Sequence, residues 1–89
     1  MKLKLEKFGT YLTSRPEGRE AFLAFKAYSS PQEADEAIEF DFTNVRVLTP
    51  SWLAEFVNGI KGTFPNNPIK YLPSTNASII ESIKIVEEE

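Results

Sequence analysis

The sequence predicts a small α/β domain in the order strand-helix-strand-helix-strand-helix, with a mostly parallel or mixed sheet and its helices mainly on one face. Three observations lead there. Ile38-Glu39-Phe40-Asp41-Phe42 alternates apolar and acidic residues, the period of a strand with one buried face. Leu53, Phe56, Val57 and Ile60 fall at i, i+3, i+4 and i+7, one apolar stripe of a helix. Both patterns recur along the chain, and strands that alternate with helices imply right-handed crossovers in a parallel sheet.

The first strand is expected over Lys2–Phe8, where Leu3 and Leu5 alternate with Lys2, Lys4 and Glu6. Gly9-Thr10 breaks it, and Tyr11-Leu12-Thr13 is expected as a loop. Ser14-Arg15-Pro16-Glu17 has the form of a capping box, with Pro in the first turn. The helix behind it turns Gly18, Ala21, Phe22, Phe25 and Tyr28 to one face and ends near Tyr28-Ser29. Gly18 costs that helix ~1 kcal/mol against Ala, which close backbone packing on the sheet would justify.

Ser30–Glu36 reads as a solvated connection. Ser30-Pro31-Gln32-Glu33 has the form of a second capping box, enough for one helical turn. After the second strand come a Thr43-Asn44 turn and a short extended piece, Val45–Leu48. Thr49 then caps the second helix, with Pro50 at its first position, where the absent N–H is no loss. That helix ends between Gly59 and Gly62. Thr63–Pro68 is a breaker-rich loop, from which Phe64 folds back on the core. Ile69–Leu72 is a short strand between Pro68 and Pro73. Ser74 or Thr75 caps a last helix that buries Ile79, Ile80, Ile83 and Val86. Its Glu87-Glu88-Glu89 end opposes the helix dipole and is expected to fray.

Eighty-nine residues allow one domain. With 42% hydrophobic and 26% charged residues the chain reads as globular. It has neither Cys nor His, which removes disulfides, thiolate metal sites, the usual general base and any serine-histidine triad. The sequence is therefore read as a non-enzyme without cofactor or metal. Glu33, Asp35 and Glu36 lack the ligand spacing and central glycine of a calcium loop. A net charge of −3 with scattered basic residues argues against a nucleic-acid partner. No apolar run is long enough for a membrane span, and the first residues lack a signal peptide's apolar core, so the cytoplasm is the expected location.

The candidate site lies where the second strand hands over to the second helix. Ser51 stands in the first turn of that helix, where free N–H groups and the positive dipole end would receive a phosphate; an ordinary first-turn residue is the competing reading. Arg15 and Arg19 lie four apart at the start of the first helix. There they work against the dipole, and either receive an acidic partner or a phosphate, or form a solvated face with Arg19 near Glu20 or Asp41. Asp41 is read as a turn former bonding into Thr43-Asn44, or as a partner of an arginine or a metal. Trp52 is either core or an exposed interface anchor. Thr49, beside Ser51, completes the candidate set. A homodimer through a sheet edge or Trp52, and a small ligand-binding domain or enzyme accessory subunit using Asp41, Arg15 and Arg19, are the other readings.

Phe8-Gly9, Ser14-Arg15-Pro16-Glu17-Gly18-Arg19-Glu20, Glu39-Phe40-Asp41-Phe42-Thr43-Asn44-Val45 and Thr49-Pro50-Ser51-Trp52-Leu53-Ala54-Glu55 together resemble the STAS-like domain of unknown function of bacteria and phages. More distantly, Asp41–Val45 through Ser51 is similar to the core of the STAS anti-anti-sigma factors, with Trp52 where their pattern has Gly. The resemblance implies a small regulatory interaction module that works with a histidine-kinase-like ATPase. It places a phosphoacceptor on Ser51.

Overall fold

The computed structural model describes residues 1–88 and is an α/β fold built on parallel strands. Its elements are β1 (Lys2–Lys4), β2 (Tyr11–Leu12), α1 (Arg15–Tyr28), β3 (Ile38–Asp41), β4 (Val47–Leu48), α2 (Pro50–Thr63), β5 (Ile69–Tyr71) and α3 (Ala77–Glu87). β1, β3 and β5 form one parallel sheet in that order, with Leu3 opposite Phe40 and Phe40 opposite Tyr71. Leu3, Ile38 and Phe40 turn to the core, while Lys2, Lys4, Glu39, Asp41 and Lys70 alternate onto the other face. α1 and α2 pack on each other over the apolar side, so the helices do cover mainly one face.

One sheet is expected from the sequence, and the structure has two. After Lys4 the chain leaves the extended state for a single 3-10 turn, Leu5–Phe8, which ends at Gly9 with φ +128°. Only Gly takes that backbone angle without steric cost. The chain then resumes as β2, where a loop is expected. β2 pairs in parallel with β4, Tyr11 opposite Val47 and Leu12 opposite Leu48. Burial of both leucines holds this pair together.

Phe56 is the centre of the core. Its ring lies 5.0 Å from the indole of Trp52, 5.4 Å from Phe8, 5.6 Å from Phe40 and 5.9 Å from Phe25. Phe64 folds back onto Phe25 as expected, edge to face at 6.0 Å. The apolar stripe of α1 ends at Phe25: Tyr28, expected to be buried, is 89% exposed at the last residue of the helix.

α3 corrects three expectations. Its cap is Asn76, not Ser74 or Thr75; Asn76 Oδ1 accepts from the N–H groups of Ser78 and Ile79. Its inner face carries Ser78 and Ser82 beside Ile79 and Val86, which leaves Ile80 50% exposed. The two serines serve the open side of β4. Ser78 Oγ accepts from the Leu48 N–H at 3.2 Å, and Ser82 Oγ donates to the Leu48 carbonyl at 2.7 Å. Without them β4 would bury an unpaired edge against a helix. Lastly, Glu87 is held, not frayed: the Tyr71 hydroxyl donates to it at 2.8 Å and Lys61 lies 3.9 Å away. Glu89 lies outside the described residues.

The Ser30–Glu36 connection forms no helical turn, and it is tied down more firmly than a solvated loop. Glu36 pairs with the N-terminal ammonium at 3.4 Å, and the Asn67 side-chain amide donates to the carbonyls of Glu33 and Glu36. No described helix is long and apolar enough to cross a membrane.

Candidate interaction surface at the start of the second helix

Thr49 is extended (φ −108°, ψ 153°) and caps α2, its Oγ1 accepting from the Trp52 N–H at 3.4 Å. The same hydroxyl donates to the Thr13 carbonyl at 2.9 Å, and the Thr49 N–H donates to the Leu12 carbonyl at 3.0 Å. The cap is thereby tied to the end of β2, which fixes where α2 starts. These bonds give the Thr49 hydroxyl a structural role as the cap of α2.

Ser51 follows as the second residue of α2. It is exposed, and no hydrogen bond among the described residues engages its hydroxyl. Trp52, directly after it, points the other way. The indole is 1% exposed and stacks on Phe56 with an interplanar angle of 22°. Of its two readings the structure realises the core one, which removes Trp52 as an anchor for a partner or a dimer.

The first turns of α1 and α2 lie side by side, and Gly18 sets the spacing. A Cβ on Gly18 would stand 2.5 Å from the Trp52 carbonyl oxygen and 3.1 Å from its Cα. The close approach that the glycine permits is therefore to the backbone of α2, and not to the sheet as expected.

This spacing brings Arg15 and Arg19 to Glu55. Arg15 Nη1 lies 3.1 Å from one carboxylate oxygen and Arg19 Nη1 4.0 Å from the other, with Glu55 25% exposed. Neither arginine pairs with Glu20 or Asp41. One carboxylate is thus shared by two guanidinium groups, while Glu17 and Glu20 stand on the same turns of α1. Ser51 precedes Glu55 by four residues, so the two share a face of α2, one turn apart.

Asp41 belongs elsewhere. Its Oδ1 accepts from the Thr43 N–H at 2.9 Å and from the Thr43 hydroxyl at 2.6 Å, and its Oδ2 lies 3.5 Å from Lys2 Nζ. These hydrogen bonds, aided by the Lys2 charge, hold its carboxyl below the usual range although burial opposes them. Asn44, at φ +70°, completes the turn and donates from its side chain to Glu6 at 3.0 Å. Asp41 is thus the expected turn former, on the face of the sheet away from α1, and shares no ion pair with Arg15 or Arg19. Among the described residues no group of three metal-ligating side chains forms.

No family model, curated protein or solved structure matches the chain. The structure alone therefore adds to the residues. Of the six candidates it brings Arg15 and Arg19 to Glu55, one helical turn along α2 from Ser51, and gives Thr49, Trp52 and Asp41 structural positions. Glu55 itself escapes sequence reasoning. Its only local signal is the i, i+4 spacing from Ser51, since its partners lie 36 and 40 residues earlier in the chain.

Proposed function

We propose that this chain is a protein-interaction module that offers the first turn of α2, with Ser51 at its tip, to a regulatory partner. The observation that carries this reading is the exposed, unengaged Ser51 hydroxyl one turn from a carboxylate shared by two arginines. A phosphate there would carry about −2 charge into a helix N-terminus, one turn from the carboxylate that Arg15 and Arg19 share. It would compete with Glu55 for Arg15, a charge-assisted contact of the stronger kind. The resemblance to STAS-like domains supports a histidine-kinase-like ATPase as partner. The absence of Cys and His from the chain supports a binding role over a catalytic one.

Binding of such an ATPase to the Ser51→Ala and Ser51→Asp chains tests the proposal. Ser51→Ala is expected to keep the partner and Ser51→Asp to lose it, with both folded. Equal binding of the two would rule out regulation at this residue.

A second reading, a small ligand-binding domain, rests on a different place. A groove of about 390 Å³ opens beyond the ends of β3 and β5, lined by Thr43, Asn44, Ser74, Thr75 and Asn76 with Phe42 beneath. The C-terminal edge of parallel strands is where α/β folds commonly hold ligands. Saturable shifts of the Thr43–Asn44 and Ser74–Asn76 amides in a metabolite screen would support it; a screen without such shifts would count against it.

A further inference from the structure

β1 is an edge strand. β3 pairs with one of its sides, and no described strand pairs with the other. A groove of about 480 Å³ runs along it, lined by Met1, Lys2, Leu3, Lys4, Lys7 and Ser29, so that the whole strand borders it. Leu3 is buried, while Lys2, Lys4 and Lys7 are exposed. Lys2 lies beside Asp41, and Lys7 donates to the Ser29 hydroxyl at 3.1 Å. Neither Lys4 nor Lys7 forms an ion pair among the described residues. On a chain of net charge −3 this is a local excess of positive charge.

The paired side of β1 displays what such a strand accepts. Glu39, Phe40 and Asp41 of β3 stand opposite Lys2, Leu3 and Lys4, an acidic, apolar, acidic sequence in register with a basic, apolar, basic one. Beyond β3 the alternation continues, with Lys70 opposite Glu39. The row Lys2–Glu39–Lys70 therefore ends on a cation at the β1 edge, where the next strand in the pattern would bring acids. Side chains opposite Lys2 and Lys4 would fall on the open face. One opposite Leu3 would fall on the helix side, toward the groove.

We propose that the free edge of β1 takes up an extended acidic-apolar-acidic segment of a partner protein as a fourth strand. Its main chain would supply the affinity and its two acids the selection. A second copy of this chain is the wrong occupant. Antiparallel pairing about Leu3 would set Lys2 against Lys4 twice, and like charges directly opposite are destabilising. The same lysines thus guard the edge against self-association and admit an acidic strand. This surface is independent of Ser51 and stands or falls without it.

The test is a titration of the isotope-labelled full chain with a capped peptide that reproduces residues 38–43, followed by amide shifts and hydrogen exchange. Shifts and slowed exchange confined to Met1–Leu5 and Lys7 are expected. Affinity should fall roughly two- to fivefold for each lysine removed in Lys4→Gln and Lys7→Gln, and further at high salt. A peptide with lysines in place of its acids, and one N-methylated at alternate residues, should both fail to bind. Equal binding of the charge-swapped peptide, survival of binding after N-methylation, or shifts only outside β1 would each overturn the proposal. So would silence at millimolar peptide. Sedimentation of the free chain as a dimer whose exchange footprint covers β1 would overturn the choice of occupant.

Discussion

Replacing Gly18 by Ala sets two effects of opposite sign against each other. Ala favours an α-helix over Gly by ~1 kcal/mol, so on propensity alone the variant would be the more stable protein. Position 18, however, faces the backbone of α2, where the new methyl would stand 2.5 Å from the Trp52 carbonyl oxygen. A backbone oxygen in a helix held by Thr49 and the Phe56 cluster cannot swing aside, so α1 and α2 must move apart. Overpacking of this kind costs about 1–3 kcal/mol, and contact with backbone belongs at the upper end. The net is about 1–2 kcal/mol of destabilisation, a fall in Tm of roughly 5–15 °C for a domain of this size. Gly62 is the internal control: it lies near the end of the partner helix α2 with nothing within 4 Å of a Cβ, so Gly62→Ala gains the propensity without the clash. Denaturant melts of both variants decide the matter. Gly18→Ala as stable as Gly62→Ala would refute the claim that this glycine spaces the helices, and with it the account of how Arg15 and Arg19 reach Glu55.

Other outcomes follow from single contacts. Thr49→Ala is expected to cost about 0.5–2 kcal/mol for the lost cap, while Ser51→Ala stays within about 0.5 kcal/mol of the parent; equal losses in a urea titration would contradict the division of labour between the two hydroxyls. Asp41 has its folded pKa lowered, so its contribution is present above the unfolded value near 3.8 and fades as pH falls through the folded one. Asp41→Asn should therefore flatten the acid limb of stability while changing nothing in its alkaline limb. Tyr71 is shifted the other way: burial and the bond to Glu87 raise its phenol above the usual range. Its stabilisation is present below pH ~10 and is lost on raising the pH through the folded value. In Tyr71→Phe the latest component of the spectrophotometric tyrosine titration should vanish, along with part of the alkaline loss of stability.

The helices were legible because their signals are local. Ser14 caps α1, accepting from the Glu17 N–H at 3.2 Å, and Thr49-Pro50 opens α2 at the expected residue. The alternation of Ile38–Phe42 likewise marks the central strand. What escaped has no local signature. The two-residue strand β2 shows no periodicity, and although β4 falls within the extended piece expected over Val45–Leu48, the pairing of the two is decided by burial of Leu12 against Leu48. Ser74, Thr75 and Asn76 are all competent caps, and only the side-chain bonds from Asn76 to the carbonyls of Val45 and Arg46 select the last. Ser78 and Ser82 look like the polar face of α3 until β4 gives them partners. At the candidate site, Ser51 was readable from its place in a capped first turn. The pairing of Arg15 and Arg19 with Glu55 depends on how two helices pack, and no window of sequence contains it.

The most direct test of Ser51 as the regulated point of contact is site-mapped phosphorylation. The full chain is incubated with ATP and a histidine-kinase-like ATPase that binds it, then digested and read by tandem mass spectrometry. A single phosphate on Ser51, with complex formation weakened in the modified protein, is the expected result. A bound complex that leaves Ser51 unmodified, or that modifies another residue, would contradict it.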